Sequence, residues 1–351
     1  MKLVSLLLVL SAASAASAPA AETLRVGEVA AAQGQQASGY IVVPDGVDPG
    51  TRIPVSVFNG AKPGPVLALI AGTHGSEYTS IVALQRVRAR LDPARLTGAV
   101  ILVHMANPTT FYGRRIYFSP DGKNLNRVYP GQADGTISQR IAHAITTQVI
   151  APATHVVDMH CGDGNESLRP YTYWIIGGNA AVDAETRELA LAYGLDHILI
   201  DRDRPRDPAA SRFTANTAIT RGKPAITAES GGMGLTDEPS VAAHHVGARS
   251  LLAHLGILDG PSARVAHPVW IDRAEVLRAP VTGVWHPVVE KMQSVSTGRL
   301  LGRLTDPFGA VLHEVHAPFA GEVVYVVGTP PVTAGEPLCE IGRVAETPGV
   351  A

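Results

Sequence analysis

The stretch Val66-Leu67-Ala68-Leu69-Ile70-Ala71-Gly72-Thr73-His74-Gly75-Ser76-Glu77 decides how this chain is read. An unbroken aliphatic run of this kind suits a strand buried on both faces. Gly72 ends it, and a polar loop follows that carries an imidazole and a carboxylate three residues apart. From 80 to 90 the spacing becomes helical, with Ile81, Leu84 and Val87 on one side. Strand, functional loop and helix in that order are the opening unit of an α/β architecture.

Outward from this unit the alternation continues. Residues 100–103, 155–159, 173–176, 197–200 and 225–228 read as strands, and 137–150, 180–193 and 241–255 as helices. The pattern predicts an α/β fold, a mostly parallel or mixed sheet flanked by helices. Such sheets bind ligands beyond the carboxyl ends of their strands. After about residue 260 helical periodicity stops. Short strand patterns separated by Gly and Pro follow at 265–271, 275–278, 298–304, 311–316, 321–327 and 338–341. They predict a small C-terminal β-barrel-like domain. Segments 317–324 and 335–338 resemble half of a lipoyl/biotinyl-type barrel, but the hairpin Asp306-Pro307-Phe308-Gly309 has no carrier lysine and Lys291 lies outside it. The module is therefore read as structural, or as a lid. The expected organisation is a signal peptide at 1–20, an α/β domain carrying the polar loops at 21–260 and the β domain at 261–351.

Composition narrows the function. With 351 residues and a net charge of −2 there is no basic footprint for nucleic acid. Lys2, the apolar run 3–10 and the small residues ending in Ala18-Pro19-Ala20 read as an export signal, placing the protein in the periplasm or outside the cell. No later segment reaches the roughly 18 apolar residues of a membrane span, so no membrane role is expected after cleavage. Cys161 directly follows His160; neighbours at a strand end point to opposite sides, so Cys161 is read as a small buried residue. A pairing with Cys339 is open but less favoured.

The chemistry lies in three separated strings. His160 follows Asp158-Met159 at the end of the 155–159 strand. Together His74, Glu77 and His160 form a His2Glu set that leaves a zinc ion an open fourth position, the pattern of a catalytic site. One Zn2+ per chain is expected. Asp158 is placed to fix the tautomer of His160. In Asp121-Gly122-Lys123-Asn124-Leu125-Asn126-Arg127, the residues Asn124, Asn126 and Arg127 can clamp a substrate carboxylate. Arg114 and Arg115 offer a guanidinium for a scissile carbonyl. Glu229 ends the 225–228 strand and can move a proton from water to a leaving amine. Taken singly, each residue has a plain structural reading: a helix-start carboxylate, a satisfied edge histidine, a solvated loop charge. The specificity lies in the combination.

That combination, H-x-x-E, then N-x-N-R, then D-x-H, then a Glu after a strand, resembles the succinylglutamate desuccinylase/aspartoacylase family, itself related to the zinc carboxypeptidases. The likeness runs from about Gly39 to Ile341 and includes Phe58-Asn59-Gly60-Ala61-Lys62-Pro63-Gly64-Pro65. It implies zinc on His74, Glu77 and His160, Glu229 as general base and acid, Asn126 and Arg127 on a substrate carboxylate, and one of Arg114 or Arg115 on the carbonyl. The function expected is a zinc-dependent deacylase of a small N-acyl amino acid or related amide. The alternatives are an exported carboxypeptidase acting on short peptides and a binding protein that has lost catalysis. Self-association is left open.

Overall fold

The computed structural model describes residues 23–347 apart from Tyr117. The expected signal peptide lies outside the described residues. Strand Lys62–Ala71 has Leu67, Leu69 and Ala71 in one core and Ala68 and Ile70 in another. Strands Thr97–Val103 and His155–His160 divide their side chains in the same way. Both faces are covered by helices. Tyr78–Arg88, Ala180–Tyr193 and Glu238–His254 contribute to one core, and Ile137–Ile145 to the other. The helix expected at 137–150 continues past Ile145 as a π-helical turn, Thr146–Ile150.

The sheet is mixed. His155–His160 runs parallel to Lys62–Ala71 on one side and to Ala225–Glu229 on the other. Tyr171–Ile175 lies antiparallel to Ala225–Glu229. At its far edge Thr51–Asn59 and Gln35–Val43 add antiparallel strands that sequence periodicity alone did not single out.

The chain beyond 260 does not begin a detached sheet. A single strand, Val269–Arg278, replaces the two expected there; it lies parallel to His197–Asp201 and antiparallel to Pro337–Ala345. Gly321–Val327 then joins the same sheet, and Glu166–Leu168 pairs with it. A separate antiparallel sheet contains Gly283–Pro287, Leu300–Thr305, Val311–His316 and Pro331–Val332, over a third core that includes buried Trp285. The Asp306–Gly309 hairpin connects two of its strands, and Lys291 donates to the Leu168 carbonyl at 3.0 Å, a structural contact.

One ion pair ties the C-terminal strands to the α/β body. Buried Arg169 donates through Nη1 to Glu322 at 2.5 Å, while its Nη2 lies 2.7 Å from His197 Nδ1. Removing Glu322 leaves buried Arg169 with only one longer carboxylate contact, to exposed Asp196 at 3.7 Å. Glu322→Ala is expected to cost about 3 kcal/mol by denaturant titration, and Arg169→Met with Glu322→Leu to recover most of it.

Candidate metal centre and substrate cavity

Register explains how distant residues meet. Ala71 lies opposite Met159, and Glu229 opposite His160. Three adjacent parallel strands therefore release the His74 loop, His160 and Glu229 at one edge of the sheet. The loop must then turn tightly. A Cβ on Gly75 would stand 2.4 Å from the Arg115 carbonyl oxygen, so no larger residue fits.

Both imidazoles turn Nδ1 toward Glu77. His74 Nδ1 is 2.5 Å from one carboxylate oxygen and His160 Nδ1 is 2.8 Å from the other. Each ring is held from behind. His160 Nε2 lies 2.9 Å from Asp158, and His74 Nε2 lies 3.1 Å from the Asn124 side-chain oxygen. With Nε2–H donated outward, a neutral ring presents the Nδ1 lone pair to the carboxylate. A positive charge must lie between them: a proton on each ring, or one divalent ion shared by all three. The Glu77 oxygen nearest His160 has no hydrogen-bond partner among the described residues despite that short approach. Such close approach without hydrogen-bond geometry is what a common ligand produces. The three donors lie within 4.8 Å of one another and are all buried. Two nitrogens and one carboxylate with an open side fit a catalytic zinc.

Electrostatics agree. Burial opposes the Glu77 carboxylate, but His160 and His74 outweigh it and hold its pKa low. Burial likewise opposes charge on His160, but Asp158 and Glu77 outweigh it and push its pKa up. Asp158 also accepts from Thr73 at 3.3 Å and from Asn126 at 3.3 Å.

The centre opens into a cavity of about 490 Å³, within the usual size of small-molecule sites. Its floor is a sheet face as well as the strand ends. Tyr171 and Tyr173, Thr227 and Glu229, and Val276 and Arg278 are alternate residues on their strands and all line it. Tyr325, Pro337 and Glu340 add a wall from the other C-terminal strands. Glu229 Oε2 is buried without a hydrogen-bond partner among the described residues. Burial raises its pKa well above that of an ordinary glutamate; His160 opposes the rise, and Glu77 and Glu166 add to it.

The other expected site residues divide. Arg127 lines the cavity with its guanidinium against the Phe213 ring, 4.8 Å from the centroid. Burial and nearby Arg204 lower its pKa, as expected of cations crowded around a place for an anion. Asn126 also lines the cavity, but its oxygen accepts from Thr214 N at 2.8 Å and its nitrogen serves Asp158, so it braces the centre. Asn124 holds His74. Arg114 and Arg115 are both exposed and neither enters this cavity; Arg115 lines the adjoining one. Arg204, which did not emerge from the sequence, does line the site, paired to Asp201 at 2.5 Å and stacked 3.8 Å over Phe213. Its signal was the charged run Asp201-Arg202-Asp203-Arg204 just after a strand. Cys161 and Cys339 are buried free thiols.

Residues 63–255 match the model of the succinylglutamate desuccinylase/aspartoacylase catalytic domain. The chain belongs to this family. It is 30% identical over 264 residues to the N-alpha-acetyl-L-2,4-diaminobutyric acid deacetylase of Halomonas elongata, covering 72% of this chain and 74% of that one. The family fold extends through the C-terminal β region. A succinylglutamate desuccinylase from Silicibacter sp. TM1040 superposes with a TM-score of 0.78 at 25% identity, covering 88% of this chain and 95% of the other. The product-bound ectoine utilization protein EutE (DoeB) of Ruegeria pomeroyi superposes with the same TM-score, identity and coverage.

Asp158→Asn weakens the hold on His160 without removing a ligand. The variant is expected to bind zinc about 10–100-fold more weakly in a competitive chelator titration.

Proposed function

We propose that the protein is a zinc-dependent deacylase that hydrolyses the amide bond of a small N-acyl amino acid. The observation that carries this reading is the Glu229 carboxylate, with Oε2 lacking a hydrogen-bond partner among the described residues, lining the same cavity as the His74–Glu77–His160 cluster. When bound, zinc supplies Lewis acidity and makes water a nucleophile near neutral pH. Glu229 takes the proton from the attacking water and delivers it to the leaving amine. Its raised pKa suits a group that must both accept and give up a proton.

Arg127 holds the substrate carboxylate with the charge-assisted geometry of a guanidinium. Arg204, locked by Asp201 and Phe213, adds positive potential on the same wall. The C-terminal strands wall one side of the cavity, which favours a small acyl amino acid over a long peptide. Relatedness to a deacetylase supports the same bond type.

The test uses purified protein loaded with zinc and a panel of N-acyl amino acids and short peptides, with release of free amine as the readout. Turnover confined to acyl amino acids and lost with chelator is the expected result. Glu229→Gln is expected to lower kcat about 10²–10⁴-fold with zinc content unchanged. Cleavage of C-terminal residues from peptides, or a Glu229→Gln variant as active as the parent, would overturn the reading.

A further inference from the structure

Six carboxylates line the cavity, and five have a task or a partner. Glu77 belongs to the metal cluster and Glu229 faces it. Asp163 accepts from Ser76 at 3.2 Å. Glu166 accepts from the Asp163 backbone at 3.2 Å, and Glu336 from the Thr333 backbone at 2.6 Å. Glu340 differs. Its side chain makes no hydrogen bond or ion pair among the described residues, yet the residue is only 7% exposed and lines the cavity. Its cross-strand neighbours Val276 and Tyr325 line the cavity as well, so the register fixes this position on the wall. Arg204 is no free partner, being taken by Asp201 and Phe213.

A carboxylate held in such a place is costly unless something pairs with it. Burial, with Glu166 and Asp201 nearby, raises its pKa to about 8, against the opposing charge of Arg204. Glu340 is therefore favoured in its protonated form near neutrality, and a cation placed against it draws that proton off.

We propose that Glu340 selects the substrate side chain by binding a cationic group on it, so that the substrate is an N-acyl amino acid with a side-chain ammonium. This rests on the deacylase reading. Arg127 takes the α-carboxylate, the scissile amide lies at the metal centre, and Glu340 meets the side-chain nitrogen from the C-terminal strands. A desolvated carboxylate–ammonium contact is charge-assisted and strong. It also rejects acidic side chains by placing like charges together.

The experiment compares N-acetyl-ornithine, N-acetyl-norvaline and N-acetyl-glutamate, matched in backbone and differing at the side-chain terminus. The parent protein is expected to prefer the ammonium. In Glu340→Gln the ratio of kcat/KM for the ornithine compound over the norvaline compound should fall about 10²–10³-fold, mainly through KM. Glu340→Lys should shift preference toward the glutamate compound. A parent protein that favours the neutral or acidic compound, or a Glu340→Gln variant that loses all three equally, overturns the proposal. Calorimetric binding of N-acetyl-ornithine to zinc-loaded Glu229→Gln reads Glu340 without turnover. Binding that weakens when Glu340→Gln is added supports the proposal, and equal binding contradicts it. Failure of the deacylase reading would appear separately, as intact binding with no amine released by the parent protein.

Discussion

Everything at this site depends on two imidazole Nδ1 atoms being turned onto one carboxylate. A buried Glu77 flanked by lone pairs is unfavourable without positive charge between them. Asp158 and Asn124 hold the rings in that orientation from behind. Thr73 and Asn126 hold Asp158 in turn. Positive charge between the three groups, from ring protons or a shared cation, satisfies this arrangement, and the chemistry of the donor set fits zinc. The parallel pairing of the three strands carrying Ala71, His160 and Glu229 then brings Glu229 beside the His74–Glu77–His160 cluster.

The same sheet supplies the substrate cavity. Alternate residues on three strands present one face as its floor, and the C-terminal strands bend in as a wall. This explains why the C-terminal region joins the main sheet through Val269–Arg278 and is fixed to it by Arg169 and Glu322. The continuous sheet thus registers Val276, Tyr325 and Glu340 to the strands that carry His160 and Glu229.

Much of this was legible in the sequence because it lies at strand ends. His74, Glu77, His160 and Glu229 each follow an aliphatic run, and the crevice rule for α/β sheets puts them together. What was not legible lies within strands or depends on distant pairing. Tyr171 and Tyr173 sit in a strand whose reversed direction is set by pairing with Ala225–Glu229, which no local pattern encodes. Glu340 looks like an ordinary charged residue in a C-terminal strand until its neighbours Val276 and Tyr325 are known. The sequence and the family resemblance offer Arg114 or Arg115 for the carbonyl, whereas the fold leaves both exposed and brings Arg204 from beyond another strand into the cavity. Asn126 has the right chemistry for a ligand clamp, but its donors and acceptors are already occupied.

The central claim is that His74, Glu77 and His160 alone hold a zinc ion. X-ray absorption at the zinc edge on the loaded protein tests it most directly. The expected spectrum has two imidazole nitrogens at about 2.0–2.1 Å and low-Z oxygen ligands at similar distance, with one zinc per chain. A sulfur shell at about 2.3 Å would bring in Cys161 and contradict the account. So would an imidazole count that remains two after His160→Ala.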